Sequence, residues 1–132
     1  MKRWTLSLTA AIAIGGMAPE AHHSISSVYD SSRRVMVEGI VAQFQLINPH
    51  AFLFIDVKDA AGNEQSWRLE MDNRSELVDI GVTPTTFRPG DRVRVSGSLA
   101  RAQGQQLYLL RLDRAADGFW YEQVGQSPRI GR

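Results

Sequence analysis

From Val35 onward, apolar and polar positions alternate with the two-residue period of half-buried strands. In "VMVEGIVAQFQLI", Val35, Val37, Ile40 or Val41, Phe44 and Leu46 fall on apolar faces, and Gly39 in mid-run predicts a bulge or sharp bend. Asn48-Pro49 ends the run, because Pro49 has no N–H to give a ladder and biases Asn48 toward extended backbone. "AFLFIDV" (Ala51–Val57) predicts a second strand, dense in β-branched and aromatic residues. "DAAGN" (Asp59–Asn63) predicts a hairpin turn, and "EQSWRLEM" (Glu64–Met71) a third strand in which Trp67, Leu69 and Met71 alternate with Arg68 and Glu70.

The period then changes. In "DNRSELVDIGV", Asp72 or Asn73 is placed to cap a short helix whose apolar residues Leu77, Val78 and Ile80 end at Gly81. "RPGDRVRVSGSLA" reads as a turn feeding a strand with Val93 and Val95 on one face and Arg92 and Arg94 on the other. "QGQQ" turns the chain into a last strand, "LYLLRLDRA". The predicted class is all-β with one short helix. Three strands, a helix and two strands form the element order of an OB-fold-like five-stranded Greek-key barrel, with a small open sheet or sandwich as the competing architecture. The barrel domain spans 35–114. Residues 22–34 ("HHSISSVYDSSRR") are polar, without period, and read as a lead-in segment. Residues 115–132 form a tail expected to pack Phe119, Trp120 and Tyr121 once and to fray beyond them.

Residues 1–21 carry a different pattern. Met1-Lys2-Arg3 is basic, Trp4 to Gly16 is a short apolar run, and small residues lead into Ala18-Pro19-Glu20-Ala21. This is the layout of a secretory signal peptide, too short to span a bilayer comfortably, and nothing later in the sequence is apolar for long enough to span one. Cleavage is expected after Ala21, with a cut after Ala18 as the alternative. The mature chain is therefore expected in the periplasm of a Gram-negative cell, without a transmembrane segment.

Losing Lys2, Arg3 and Glu20 with the leader takes the 15 basic and 14 acidic residues to 13 of each. A neutral chain lacks the basic footprint that drives nucleic-acid binding, so no nucleic-acid partner is expected. The chain has no cysteine, which excludes disulfides and thiolate chemistry. No phosphate-loop, Rossmann or hydrolase signature occurs, and Ser24, Ser26 and Ser27 beside histidines do not make a triad. The carboxylates Glu38, Asp56, Glu70 and Asp72 are scattered, as solvated strand faces would have them.

Imidazole chemistry is what remains. The chain holds 3 histidines, His22 and His23 at the expected new N-terminus and His50 in the turn before the second strand. Imidazole is the commonest side-chain ligand for late transition metals, so an N/O site on His22, His23 and His50 is the metal site these residues can build, for copper first and zinc second. A terminal amine and the imidazole of the same residue chelate from two sides, and a second imidazole completes a nitrogen set suited to copper. Asp30, Tyr29 or Asp56 are available to add an oxygen. A first strand of roughly twelve residues runs about 40 Å, and the lead-in can return alongside it to bring His22 to the turn. The bland alternative makes His50 a turn residue bonded to backbone.

"AHHSISSVYD", "VEGIVAQFQLINPHAFLFIDVKDAAGN", a Trp in the next strand and "RPGDRVRVSG" together resemble DUF6152, an uncharacterised family of small exported bacterial proteins. The resemblance runs from about Ala21 to Leu112 and points to His22, His23, Ser24, Asn48, Pro49 and His50. Pro19-Glu20-Ala21 departs from the usual Ala-x-Ala, and the tail after Asp113 extends past the family pattern. The family carries no established activity, so the resemblance implies export and boundaries but no substrate.

The leading expectation is a non-enzymatic OB-like binding module with a metal at the three histidines. The second is a protein- or small-ligand-interaction module whose histidines are structural and whose face of Phe44, Phe52, Phe54, Trp67 and Tyr108 engages the partner. A copper redox enzyme is third, since it would need an open coordination position.

Overall fold

The structure, a computed structural model, describes residues 24–132. The signal-peptide residues, His22 and His23 lie outside them. Two short helices and seven strands follow in the order α1 (Ile25–Val28), β1 (Tyr29–Gln45), β2 (His50–Lys58), β3 (Glu64–Asn73), α2 (Arg74–Asp79), β4 (Arg92–Ala100), β5 (Gln106–Arg114), β6 (Phe119–Val124) and β7 (Ser127–Gly131). The protein is predominantly β. Its strands form one sheet in the order β3-β2-β1-β4-β5-β6-β7, antiparallel between neighbours, and β3 also pairs with β5 in parallel.

That extra pairing closes a cycle. β1 is 17 residues long and serves two partners: Tyr29 to Ile40 face β4, and Ile40 to Gln45 face β2. β2 pairs with β3, β3 with β5 through Leu69 and Leu107, and β5 with β4. Side chains alternate between the two faces of each strand. On β2, Ala51, Leu53 and Ile55 are fully buried while His50, Phe52 and Phe54 take the other face, half-buried. Leu69 and Met71 of β3, Val93 and Val95 of β4 and Leu107, Leu109 and Leu112 of β5 join Leu53 and Ile55 in one core. Phe87 sits between Phe44 and Phe119, edge-on to both at 5.0 and 5.6 Å. Each large side chain buried there contributes ~2 kcal/mol relative to leaving it in water.

The helix between the third and fourth strands forms where the sequence places it. Asn73 caps it, its Oδ1 accepting the Glu76 N–H at 2.9 Å, and Leu77 is its buried residue. Gly81 ends it at φ +98, a backbone that other residues rarely adopt.

Three expectations are corrected. β1 starts at Tyr29, so the last six residues of the expected lead-in are strand, and Arg34 to Ile40 continue the ladder with β4 after a register shift. The bulge of β1 against β2 falls between Val41 and Gln43 rather than at Gly39. Gly39 is instead required by close approach: a Cβ there would meet the Asp56 carbonyl oxygen at 2.6 Å. The third correction concerns the tail, which does not fray. Phe119, Tyr121 and Gln123 alternate inward along β6, with Tyr121 at 0% exposure, and β7 folds back on β6 through Val124 and Ser127. Three consecutive aromatics hid a period of two, and Gly125 (φ +59) with Gln126 supplies the tight turn. Among the described residues, no helix is long and apolar enough to cross a membrane.

Candidate functional site

His50 opens β2 directly after Pro49, whose peptide bond to Asn48 is cis and whose carbonyl accepts the Arg74 N–H at 3.1 Å. The imidazole leans across to β3. Its Nδ1 lies 3.0 Å from the Met71 carbonyl oxygen and 3.3 Å from Glu70 Oε1. Both neighbours are acceptors, so in the neutral ring Nδ1 carries the proton and donates it, and Nε2 is left with its lone pair. The other oxygen of Glu70, Oε2, accepts the phenol of Tyr29 at 2.6 Å. One carboxylate thus joins the start of β1 to the start of β2.

Ring closure makes this junction. Glu70 registers with Phe52 on one side and with Tyr108 on the other, so the three share a row on the outer face of the sheet. Tyr108 packs on Tyr29, ring centroids 5.8 Å apart, in a small second core with Ala100. Burial and then its bond to Glu70 raise the Tyr29 phenol well above its ordinary range. Tyr108 is raised as well, by burial first and then by the negative charges of Asp72 and Glu70. Both phenols stay protonated at any physiological pH. Arg68 stacks its guanidinium over Phe52 at 4.0 Å and leaves one charge at the edge of the patch.

A second network lies inside. Tyr121 donates to Gln123 Oε1 at 2.8 Å, and Gln123 Nε2 donates to Asp72 Oδ2 at 2.7 Å. Asp72 Oδ1 accepts the Asn73 N–H at 2.7 Å. Glu76 lies against the same carboxyl, and its own pKa is raised, by desolvation first and then by Asp72.

The structure sorts the sequence-predicted residues. Phe52, Phe54 and Tyr108 share the outer face with His50, whereas Phe44 and Trp67 pack against the core, so the five do not make one ligand surface. Ser24 opens α1, with its Oγ 2.5 Å from that of Ser26. Asp30 is bonded to Ser32, which lowers its pKa, and Asp56 stands opposite Ser66. The lead-in does not run back along β1 either. Tyr29 reaches the neighbourhood of His50 around the closed cycle of strands, through β4, β5 and β3. Tyr29 and Glu70 are both visible in the sequence, but their pairing is not, because it needs the β3–β5 register. No group of three or more His, Cys, Asp or Glu residues arranged to hold a metal occurs among the described residues.

Fold and site together define a small, predominantly β protein with a histidine–carboxylate–tyrosine network on its outer sheet face. The model of DUF6152, a family of unknown function, matches residues 10–107, well over half of the chain, and the chain belongs to that family. The match ends at the start of β5, so β6 and β7 lie beyond it. Searches of curated proteins and of solved structures gave no match.

Proposed function

We propose that this protein is an exported, non-enzymatic OB-fold-like barrel module that binds a transition metal, copper before zinc, through His22, His23 and His50. The barrel reading is supported by the ring of pairings β1–β2–β3–β5–β4 with a helix between its third and fourth strands. Export and a periplasmic home rest on the leader pattern of residues 1–21. The observation that carries the metal reading is the state of His50. Its Nδ1 is committed to Met71 and Glu70, which fixes the tautomer and offers Nε2, the arrangement in which protein imidazoles are held for metals.

Chain length supports the inclusion of His22 and His23. Tyr29 is bonded to the carboxylate that touches His50, and seven residues back from it, at His22, the chain can reach at most about 25 Å. Arg101 holds the segment between them, its backbone N–H donating to Val28 O at 2.9 Å and its Nε to Ser26 O at 3.2 Å. If the leader is cut after Ala21, the α-amine of His22 completes the nitrogen set for copper.

One observation favours a second reading. The bond from His50 to the Met71 carbonyl ties the mouth of β2 to β3 with no metal at all, which suits an interaction module whose histidine is a brace. Calorimetric titration of the exported form with Cu(II), its N-terminal residue established by mass, separates the two. The metal reading expects one submicromolar equivalent that weakens at least about tenfold in His50→Ala. Binding indifferent to His50, with the variant merely less stable, supports the brace. No binding ends the metal reading.

A further inference from the structure

A cleft of about 770 Å³ opens on another part of the molecule, between the 81–91 segment that follows α2 and the β5–β6 and β6–β7 hairpins. The segment after α2 lines it with Thr83, Thr85 and Arg88, and the hairpins line it with Arg114, Phe119 and Ile130. Half of it is therefore built by residues beyond the family match.

The charges decide what such a cleft can hold. Asp91 and Asp117 reach it, but both are occupied by Arg114. That guanidinium donates through Nη1 to Asp91 Oδ2 at 2.8 Å and to the Thr86 carbonyl at 2.6 Å, and through Nε and Nη2 to both oxygens of Asp117 at 2.9 Å. Arg114 holds the Asp117 carboxyl down at about 2, so it keeps its charge and its partner. A cation therefore finds no free carboxylate there. Arg88 is different. Its Nε donates to the Thr85 carbonyl at 3.3 Å, and no carboxylate pairs with it among the described residues, so its two terminal amino groups are open. Thr83 and Thr85 bring their hydroxyls to the same lining, 3.3 Å apart. Ile130 and the small exposed part of Phe119, whose ring has the Arg114 guanidinium 4.8 Å from its centroid, supply the apolar part of the lining.

We propose that this cleft binds a small organic carboxylate, its anionic end on Arg88 and the threonine hydroxyls and its apolar body on Phe119 and Ile130. Among the lining side chains, Arg88, Arg114 and Arg132, the last 3.4 Å from Asp117 Oδ2, stand against Asp91 and Asp117, an excess of one positive charge that matches a monoanion. A dianion meets Asp91 and Asp117, and a neutral molecule leaves Arg88 unpaired.

The test is a titration of the ¹⁵N-labelled chain with benzoate, followed at the backbone amides of Thr83, Thr85, Thr86, Phe87, Arg88, Gly90, Asp91, Phe119 and Ile130. Benzamide serves as the uncharged match, inorganic phosphate as the anion without an apolar body, and Arg33→Gln as a control charge change on β1. We expect saturable shifts confined to those amides, weakened about tenfold by R88Q and by exchange of benzoate for benzamide, and unaffected by R33Q. Because Arg88 is exposed, R88Q is expected to melt at the wild-type temperature. Four results overturn the proposal: no saturation, equal binding of benzamide, phosphate binding as tightly at the same amides, or R33Q weakening benzoate as much as R88Q.

Discussion

Two carboxylates two residues apart on β3 lead to opposite kinds of network. Asp72 is the end of a buried chain, with Gln123 on one oxygen, the Asn73 N–H on the other and Tyr121 behind Gln123. Glu70 sits on the outer face between Tyr29 and His50, and the chain through it ends in the lone pair of Nε2. The first is closed and the second open. A closed network serves the fold, since each buried polar group has lost water and needs its partner. An open network whose last atom is an aligned imidazole nitrogen has a capacity left over. The difference separates, within one strand, the residues that hold the molecule together from those that could act.

Breaking the closed side should cost most. Asp72→Ala strands a buried Gln123 amide and the Asn73 N–H, and we expect about 3 kcal/mol of lost stability, read as a lower urea midpoint at unchanged slope. A loss under about 1 kcal/mol would mean that the interior network is not closed. Tyr121→Phe deletes one hydroxyl and keeps the packing, so it should cost about 1 kcal/mol by the same measurement.

The open side should respond in function more than in stability. Glu70→Gln keeps the shape and removes the charge, and we expect under about 1 kcal/mol of stability change with Cu(II) affinity down about tenfold. Equal loss of stability from Glu70→Gln and Asp72→Ala would erase the contrast between the two networks.

The smallest effect is one of pH. Burial and Asp72 raise the Glu76 carboxyl above its unfolded value, so the folded state holds that proton longer. The stability linked to it is present below the unfolded carboxylate range and is lost as pH rises through the raised folded value. Glu76→Gln should therefore flatten the decline of the urea midpoint between acid and neutral pH. A decline of unchanged slope would show that Glu76 does not share the Asp72 site.

Much of this architecture could be read from alternation alone. Val93 and Val95, Leu69 and Met71, the Asn73 cap and the Gly81 stop all stand where the period and the turn chemistry put them. The hairpin of β6 and β7 escaped because Phe119-Trp120-Tyr121 is apolar at every position, which conceals which members point inward. The site was half legible. The residue types of His50, Tyr29 and Glu70 are visible, and His50 meets Glu70 across the β2–β3 hairpin, but Tyr29 meets Glu70 only through the parallel register of Glu70 with Tyr108, a contact between distant strands that no local pattern encodes. Residue type alone groups Phe44 and Trp67 with Phe52 and Phe54, whereas the register of β2 against its neighbours sends the two pairs to opposite faces.

The role proposed for His50 depends on which of its ring nitrogens is free. Long-range ¹⁵N–¹H correlation spectra of the metal-free exported chain, repeated with one equivalent of Zn(II), read this directly. We predict the Nδ1–H tautomer without metal, and on addition of Zn(II) a displacement of the Nε2 signal with the Nδ1 proton retained. An Nε2–H tautomer, or a metal-induced shift at Nδ1 in its place, would contradict the assignment of His50 as a ligand held by Glu70 and Met71.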